Sequence, residues 1–69
     1  MQHHAYGKLA MAICGLRLPV RVMRSAAGYY LGTQSDLGPV SRESVEYWPT
    51  EAQAASALSK GEWSQRHDA

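Results

Sequence analysis

The sequence predicts an α+β fold: a three-stranded antiparallel meander packed against one C-terminal helix (βββα), with a short N-terminal apolar arm or helix. Three observations predict it. Apolar and polar residues alternate through residues 16–24, a second strand-like segment follows a glycine-containing turn, and a capped apolar stripe covers residues 51–60. The domain would span residues 16–63, between an N-terminal arm or tag-like segment at residues 1–15 and a polar tail at residues 64–69.

The first strand is predicted from its strict alternation. Its apolar side is formed by Leu16, Leu18, Val20 and Val22. The residues between them are Arg17, Pro19 and Arg21, which point to the other side of the pleat. Because proline cannot donate a backbone hydrogen bond, Pro19 must lie at a sheet edge or just before the strand.

Residues 25–28 connect this strand to the second strand, residues 29–33. We expect a three-residue loop, because the two alanines suit the primed turns of two-residue loops poorly. That loop would pair Val22 with Gly32. It would turn Tyr30 toward the core, whereas a two-residue loop would exchange the two faces of the second strand.

A turn-rich connection at residues 34–39 leads to a third strand at residues 40–48. In the helix that follows, Thr50 is the expected N-cap with Gln53 as its capping-box partner, and Gly61 is the expected C-cap. The helix would contact the sheet through Ala52, Ala55 and Leu58, with Ala54 beside them, and Trp63 would fold back over the helix end. The predicted core is Val20, Val22, Tyr30, either Val45 or Tyr47, Ala55 and Leu58.

The composition restricts the classes of function. A chain of 69 residues with one cysteine cannot compensate for a small core with disulfides, which favours homo-oligomerisation. Cys14 is expected to be a small buried residue in a reducing cytoplasm. The apolar run at residues 9–16 is too short for a membrane span and lacks a cleavage site, so we expect a short helix or arm that packs on the domain or on a neighbouring subunit.

Catalytic and metal-binding patterns are missing from the sequence. His3, His4 and His67 lie near the chain ends without cysteine partners, so no metal site is predicted. Glu43 and Glu46 read as charges on an exposed strand edge. We therefore predict a non-enzymatic protein with no cofactor and no small-molecule substrate.

Two binding functions remain. In the preferred one, Met23, Tyr29 and Leu31 form an exposed sheet face that contacts another protein or a second copy of the chain. In the alternative, nucleic acid binds a surface of arginines and one tyrosine, namely Arg17, Arg21, Arg24, Tyr29 and Arg42. The net charge of +1 gives no general attraction to nucleic acid or to a membrane.

Residues 28–33, residues 38–44 and the helix of residues 50–58 resemble small uncharacterised proteins of bacterial plasmids and prophages. The resemblance covers about two thirds of the chain and implies an accessory role in a bacterial cell. The strand order and the Trp48-Pro49-Thr50 entry to the helix are also similar to the three-stranded N-terminal DNA-binding domains of phage-type integrases.

Overall fold

The computed structural model describes residues 6–67. In chain order the elements are α1 (Lys8–Cys14), β1 (Arg21–Ser25), β2 (Gly28–Ser35), β3 (Gly38–Arg42) and α2 (Glu51–Lys60). The strands form one antiparallel sheet in the order β1-β2-β3. The predicted βββα architecture is confirmed, and the N-terminal segment contributes the short helix α1.

Both hairpins use the same four-residue pattern, Ser-x-x-Gly. The side-chain oxygens of Ser25 and Ser35 each accept a hydrogen bond from the amide two residues later, at 3.2 Å. Gly28 and Gly38 close the two turns at φ 129° and 119°, a backbone region that residues with a Cβ rarely adopt. In each turn the residue with positive φ is therefore the glycine at the fourth position, and the two central residues keep negative φ.

The first hairpin therefore has a two-residue loop, and the expectation of a three-residue loop is wrong. Val22 pairs with Leu31, and Met23 pairs with Tyr30. The sequence disfavoured a two-residue loop because such loops ordinarily use primed turns, which would require positive φ at Ala26 or Ala27. No residue other than glycine has positive φ in the described part of the chain, so the turn is not a primed one.

The third strand is shorter than predicted and begins earlier. It ends at Arg42, because the next two amides, those of Glu43 and Ser44, both donate to the Leu31 carbonyl at 2.8 and 2.9 Å. The Ser44 hydroxyl also accepts from the Leu31 amide at 3.0 Å and so replaces a backbone partner. Pairing with β2 resumes only at Trp48, which exchanges two backbone hydrogen bonds with Tyr29.

The main core lies between the sheet and α2. Its buried members are Val20, Leu31 and Ala54, and the partly buried residues packed against them are Val22, Tyr29, Trp48, Leu58 and Trp63. Several predicted core residues lie elsewhere. Ala52 and Ala55 are exposed, because the contacting side of α2 is formed by Ala54, Ala57 and Leu58. Val45 is 53% exposed and Tyr47 is also exposed, since residues 44–47 leave the sheet.

The helix α1 lies on the same sheet face as α2. Thr33 of β2 lies against Gly7 at the start of α1, and Leu31 of β2 lies in the core under α2. Residues two positions apart in a strand point to the same side of the sheet, so the two helices share one face. After α1 the chain runs back beside the residues that precede this helix, since the Gly7 amide donates to the Leu18 carbonyl at 2.8 Å. The opposite sheet face carries no helix among residues 6–67.

We predict that Leu31→Ala lowers the free energy of unfolding by about 2–5 kcal/mol, because Leu31 is 0% exposed and its loss leaves a cavity under α2. Urea denaturation measures this change. The matched control is Leu37→Ala at the second hairpin tip, where Leu37 is 100% exposed and the change should be within about 0.5 kcal/mol. Equal effects of the two substitutions would contradict the register.

We predict that Thr50→Ala destabilises the protein by about 1 kcal/mol, because the Thr50 hydroxyl accepts the hydrogen bond of the Gln53 amide at 3.2 Å at the start of α2. Thr50→Ser keeps this acceptor and should retain most of the stability. Thermal unfolding of the two variants tests the N-cap, and an equal loss for both would show that the hydroxyl is unimportant.

Candidate functional site

The three residues predicted to form a protein-contact face do not share a surface. Leu31 is completely buried under α2, so the expectation that it lies on an exposed face is wrong. Tyr29 lies on the same side and is partly buried against the core. Met23 pairs with Tyr30 and lies on the opposite sheet face, half-buried. The cause is the two-residue loop, which exchanges the faces of β2 relative to the expected register.

The predicted nucleic-acid residues are also dispersed, and three of the arginines lie over tyrosine rings. The guanidinium of Arg17 lies 5.6 Å from the ring centroid of Tyr6, and that of Arg24 lies 5.5 Å from the ring of Tyr29. The third pair is Arg42 over Tyr47, at 4.7 Å. Such pairs are favourable by cation–π attraction.

These pairs stand in different parts of the molecule. Arg24 and Tyr29 are on the α2 side of the first hairpin, and Arg17 is in the segment between α1 and β1. Arg21 and Arg42 both pair with Gly32 and so share the opposite face. Because three arginines already cover tyrosine rings, those ring faces are not free to stack on bases in this arrangement.

The most organised polar cluster surrounds Glu43, which is fully buried. One carboxylate oxygen, Oε1, accepts from the Leu9 amide at 3.0 Å and from the Gln65 side chain at 2.7 Å. The other, Oε2, accepts from the Ala10 amide at 3.1 Å and from the Ser41 hydroxyl at 2.5 Å. Glu43 thus connects the start of α1, strand β3 and the C-terminal segment.

All four groups that face the Glu43 carboxylate are donors, which suits an ionised carboxylate. Burial raises the pKa of Glu43, but the hydrogen bonds from Ser41, the Leu9 amide, Gln65 and the Ala10 amide together outweigh burial and hold the pKa below its ordinary value. Since the single proton of Ser41 goes to Glu43, Thr33 donates in the 2.7 Å hydrogen bond between the two hydroxyls.

The expectation that Glu43 is an exposed edge charge is therefore wrong. The C-terminal segment covers it: the Arg66 amide donates to the Glu43 carbonyl at 2.7 Å, and Ser44 pairs with Gln65 as an antiparallel bridge. Residues 64–66 are paired here rather than forming a free tail. The sequence signal for this cluster was the dense polar run of residues 41–44 inside a strand pattern, but its partners are 22 to 34 residues away and have no local signature.

Most of the exposed large apolar side chains of the described residues belong to α1 and its flanks. Of the seven exposed large apolar side chains among the described residues, four lie between Tyr6 and Leu16; Met11 is 45% and Ile13 is 56% exposed. An open groove of about 590 Å³ lies there, lined by Tyr6, Gly7, Lys8, Met11, Ala12 and Arg17. We call these six residues the α1 surface. Cys14, expected to be buried, is exposed because only Leu9 and Ala10 of α1 are covered.

The described residues lack two further features, a metal-binding cluster and a membrane-spanning helix. Among residues 6–67, no group of three or more His, Cys, Asp or Glu side chains could hold a metal ion. His67 is exposed, while His3 and His4 lie outside the described residues. Within that same part of the chain, neither helix is both long enough and apolar enough to cross a membrane. Comparisons of the chain with protein families, with curated proteins and with solved structures gave no match.

We predict that Glu43→Gln destabilises the protein by about 1–3 kcal/mol, because an amide nitrogen would face donors where the carboxylate accepted hydrogen bonds. Hydrogen exchange should accelerate at the Leu9 or the Ala10 amide, since these two amides donate to different carboxylate oxygens and the single oxygen of glutamine can replace only one of them. The control is Glu62→Gln, an exposed site with an expected change within about 0.5 kcal/mol.

The same contact predicts the dependence of stability on pH. Because the pKa of Glu43 is lower in the folded protein than its ordinary value, its contribution is complete above the unfolded pKa, about 4.3, and is lost as the pH falls through the folded pKa. Glu43→Gln should flatten this acid limb. A residual slope will remain, since burial raises the pKa of Glu46 but hydrogen bonds from Ser64 outweigh it. An unchanged limb would contradict the assignment.

Proposed function

We propose that this chain is a non-enzymatic accessory protein of a bacterial cell that acts by protein–protein contact, and that it makes this contact through the α1 surface. The observation that carries the proposal is the composition of α1 compared with its burial. Six of its seven residues are apolar, and only Leu9 and Ala10 are buried. The resemblance to small plasmid and prophage proteins supports the accessory role.

A helix that is apolar on all sides is ordinarily buried on all sides. The domain covers one side of α1, and the groove beside Met11 and Ala12 is left open. Large exposed apolar patches that are rimmed by polar groups mark interaction sites or ligand-binding grooves. Lys8 and Arg17 supply such a rim here, and the chain packs Arg17 on Tyr6 at the groove edge.

This proposal keeps protein contact, the preferred prediction from the sequence, but moves it from the sheet to α1. The sheet residues first considered cannot serve together, since Leu31 is in the core. Nucleic-acid binding is the weaker candidate, because the arginines are distributed over several surfaces and three of them lie over tyrosines.

Site-specific photocrosslinking tests the contact. A photoreactive residue in place of Met11 should give a discrete protein adduct in bacterial cells that express the chain, because this position faces the groove. The same residue in place of Gln53, an exposed position on α2, is the matched control and should give none. Adduct formation should also be lost when Ala12 is replaced by Arg in the same chain.

Two outcomes would overturn the proposal. One is the absence of any position-dependent protein adduct at Met11. The other is oligonucleotide binding by the purified chain that weakens steeply with salt and is reduced by Arg21→Ala or Arg24→Ala but not by changes in α1, since such a salt dependence reports contacts to phosphates.

A further inference from the structure

We propose that the partner of the α1 surface is a second copy of this chain, bound so that the two α1 helices pack antiparallel across a two-fold axis. This inference rests on the proposed function and specifies its partner. It is carried by the spacing of residues on α1, by the charge at the two helix ends and by the small size of the core.

The outward side of α1 has the spacing of a helix-packing face. Lys8, Met11 and Ala12 of α1 follow each other at i, i+3 and i+4, the C-cap Gly15 follows directly after the helix at i+7, and all four residues are exposed. Ala12 and Gly15 are small, so a second helix can approach closely. Antiparallel packing about the centre of this face sets Met11 against Ala12 of the second copy, and Lys8 against Gly15 of the second copy.

Charge favours the antiparallel orientation. The last turn of α1 has no basic residue, so the free carbonyls at its C-terminal end have no cation from their own helix. In the antiparallel pair, Lys8 of each copy lies beside that end of the other helix, where a cation is favourable. A parallel pair would bring the two lysines together at the same end and would be repelled.

The size of the core favours a second copy over a lipid surface. Seven apolar residues of the described chain are buried, and three of these seven are alanine. Oligomerisation is one of the ways in which domains below about 70–80 residues gain stability, and a two-fold contact buries the same side of α1 in both copies at once. A membrane surface would engage only Lys8, Arg17 and a helix of seven residues. Each cation adds about 1 kcal/mol there.

The solution mass of the purified full chain tests the pair. Sedimentation over a range of concentrations should show a monomer–dimer equilibrium. Ala12→Arg should raise the dimer Kd about tenfold or more, because it places two bulky like charges at the two-fold axis. Ala55→Arg is the matched control, an exposed alanine on α2 whose substitution should leave Kd unchanged. Circular dichroism of both variants verifies that they fold.

Crosslinking tests the orientation. The chain has one cysteine, Cys14, and two lysines, Lys8 and Lys60. A short amine–thiol reagent should give an adduct of twice the chain mass, since the antiparallel pair brings Lys8 of one copy near Cys14 of the other. Lys8→Arg should remove this adduct and Lys60→Arg should retain it.

The results separate this inference from the proposed function. A chain that stays monomeric at millimolar concentration, or a dimer that responds equally to Ala12→Arg and Ala55→Arg, overturns the antiparallel pair. If the Met11 photocrosslink then joins a different protein, the proposed function survives with another partner. Binding of the monomer to anionic vesicles that is lost on Met11→Glu would overturn both.

Discussion

The buried Glu43 carboxylate is the contact on which the arrangement of the outer segments depends. It joins groups that are far apart in the sequence: the first amides of α1, the Ser41 hydroxyl of β3 and the Gln65 side chain. None of the four donors is a charged group, so among the described residues the carboxylate accepts hydrogen bonds from neutral dipoles. Such an arrangement is stable only when every donor is in place, because a buried charge that loses a partner is costly.

This contact also explains why α1 can be docked with so little apolar burial. A helix of seven residues is too short to be stable by itself. Here the Glu43 carboxylate accepts from the Leu9 and Ala10 amides, which a helix end leaves without partners. Because this polar contact holds the helix start, only Leu9 and Ala10 need to enter the domain, and the groove beside Met11 stays open.

The sheet has two different faces, and the turns decide which residues belong to each. The α2 side receives Val22 and Leu31, while the other side receives Tyr30, whose ring meets that of Tyr47 edge-on at 5.8 Å between centroids. Arg42 in turn covers Tyr47. Aromatic and guanidinium groups on the helix-free face thus pack mainly on each other, which leaves α1 as the more open apolar surface.

Local signals in the sequence determined the strand order, the helix α2 and its two ends. Thr50 and Gly61 specify those ends through hydrogen bonds within a few residues, so a local pattern is sufficient. The local sequence did not determine the register of β1 and β2. The positive φ of Gly28 allows an unprimed two-residue turn, and the residue types alone do not distinguish this turn from a three-residue loop. That single choice moved Leu31 from the predicted surface into the core. The burial of Glu43 and the exposure of α1 were likewise decided by the tertiary structure, since both depend on donors and neighbours that are distant in the sequence.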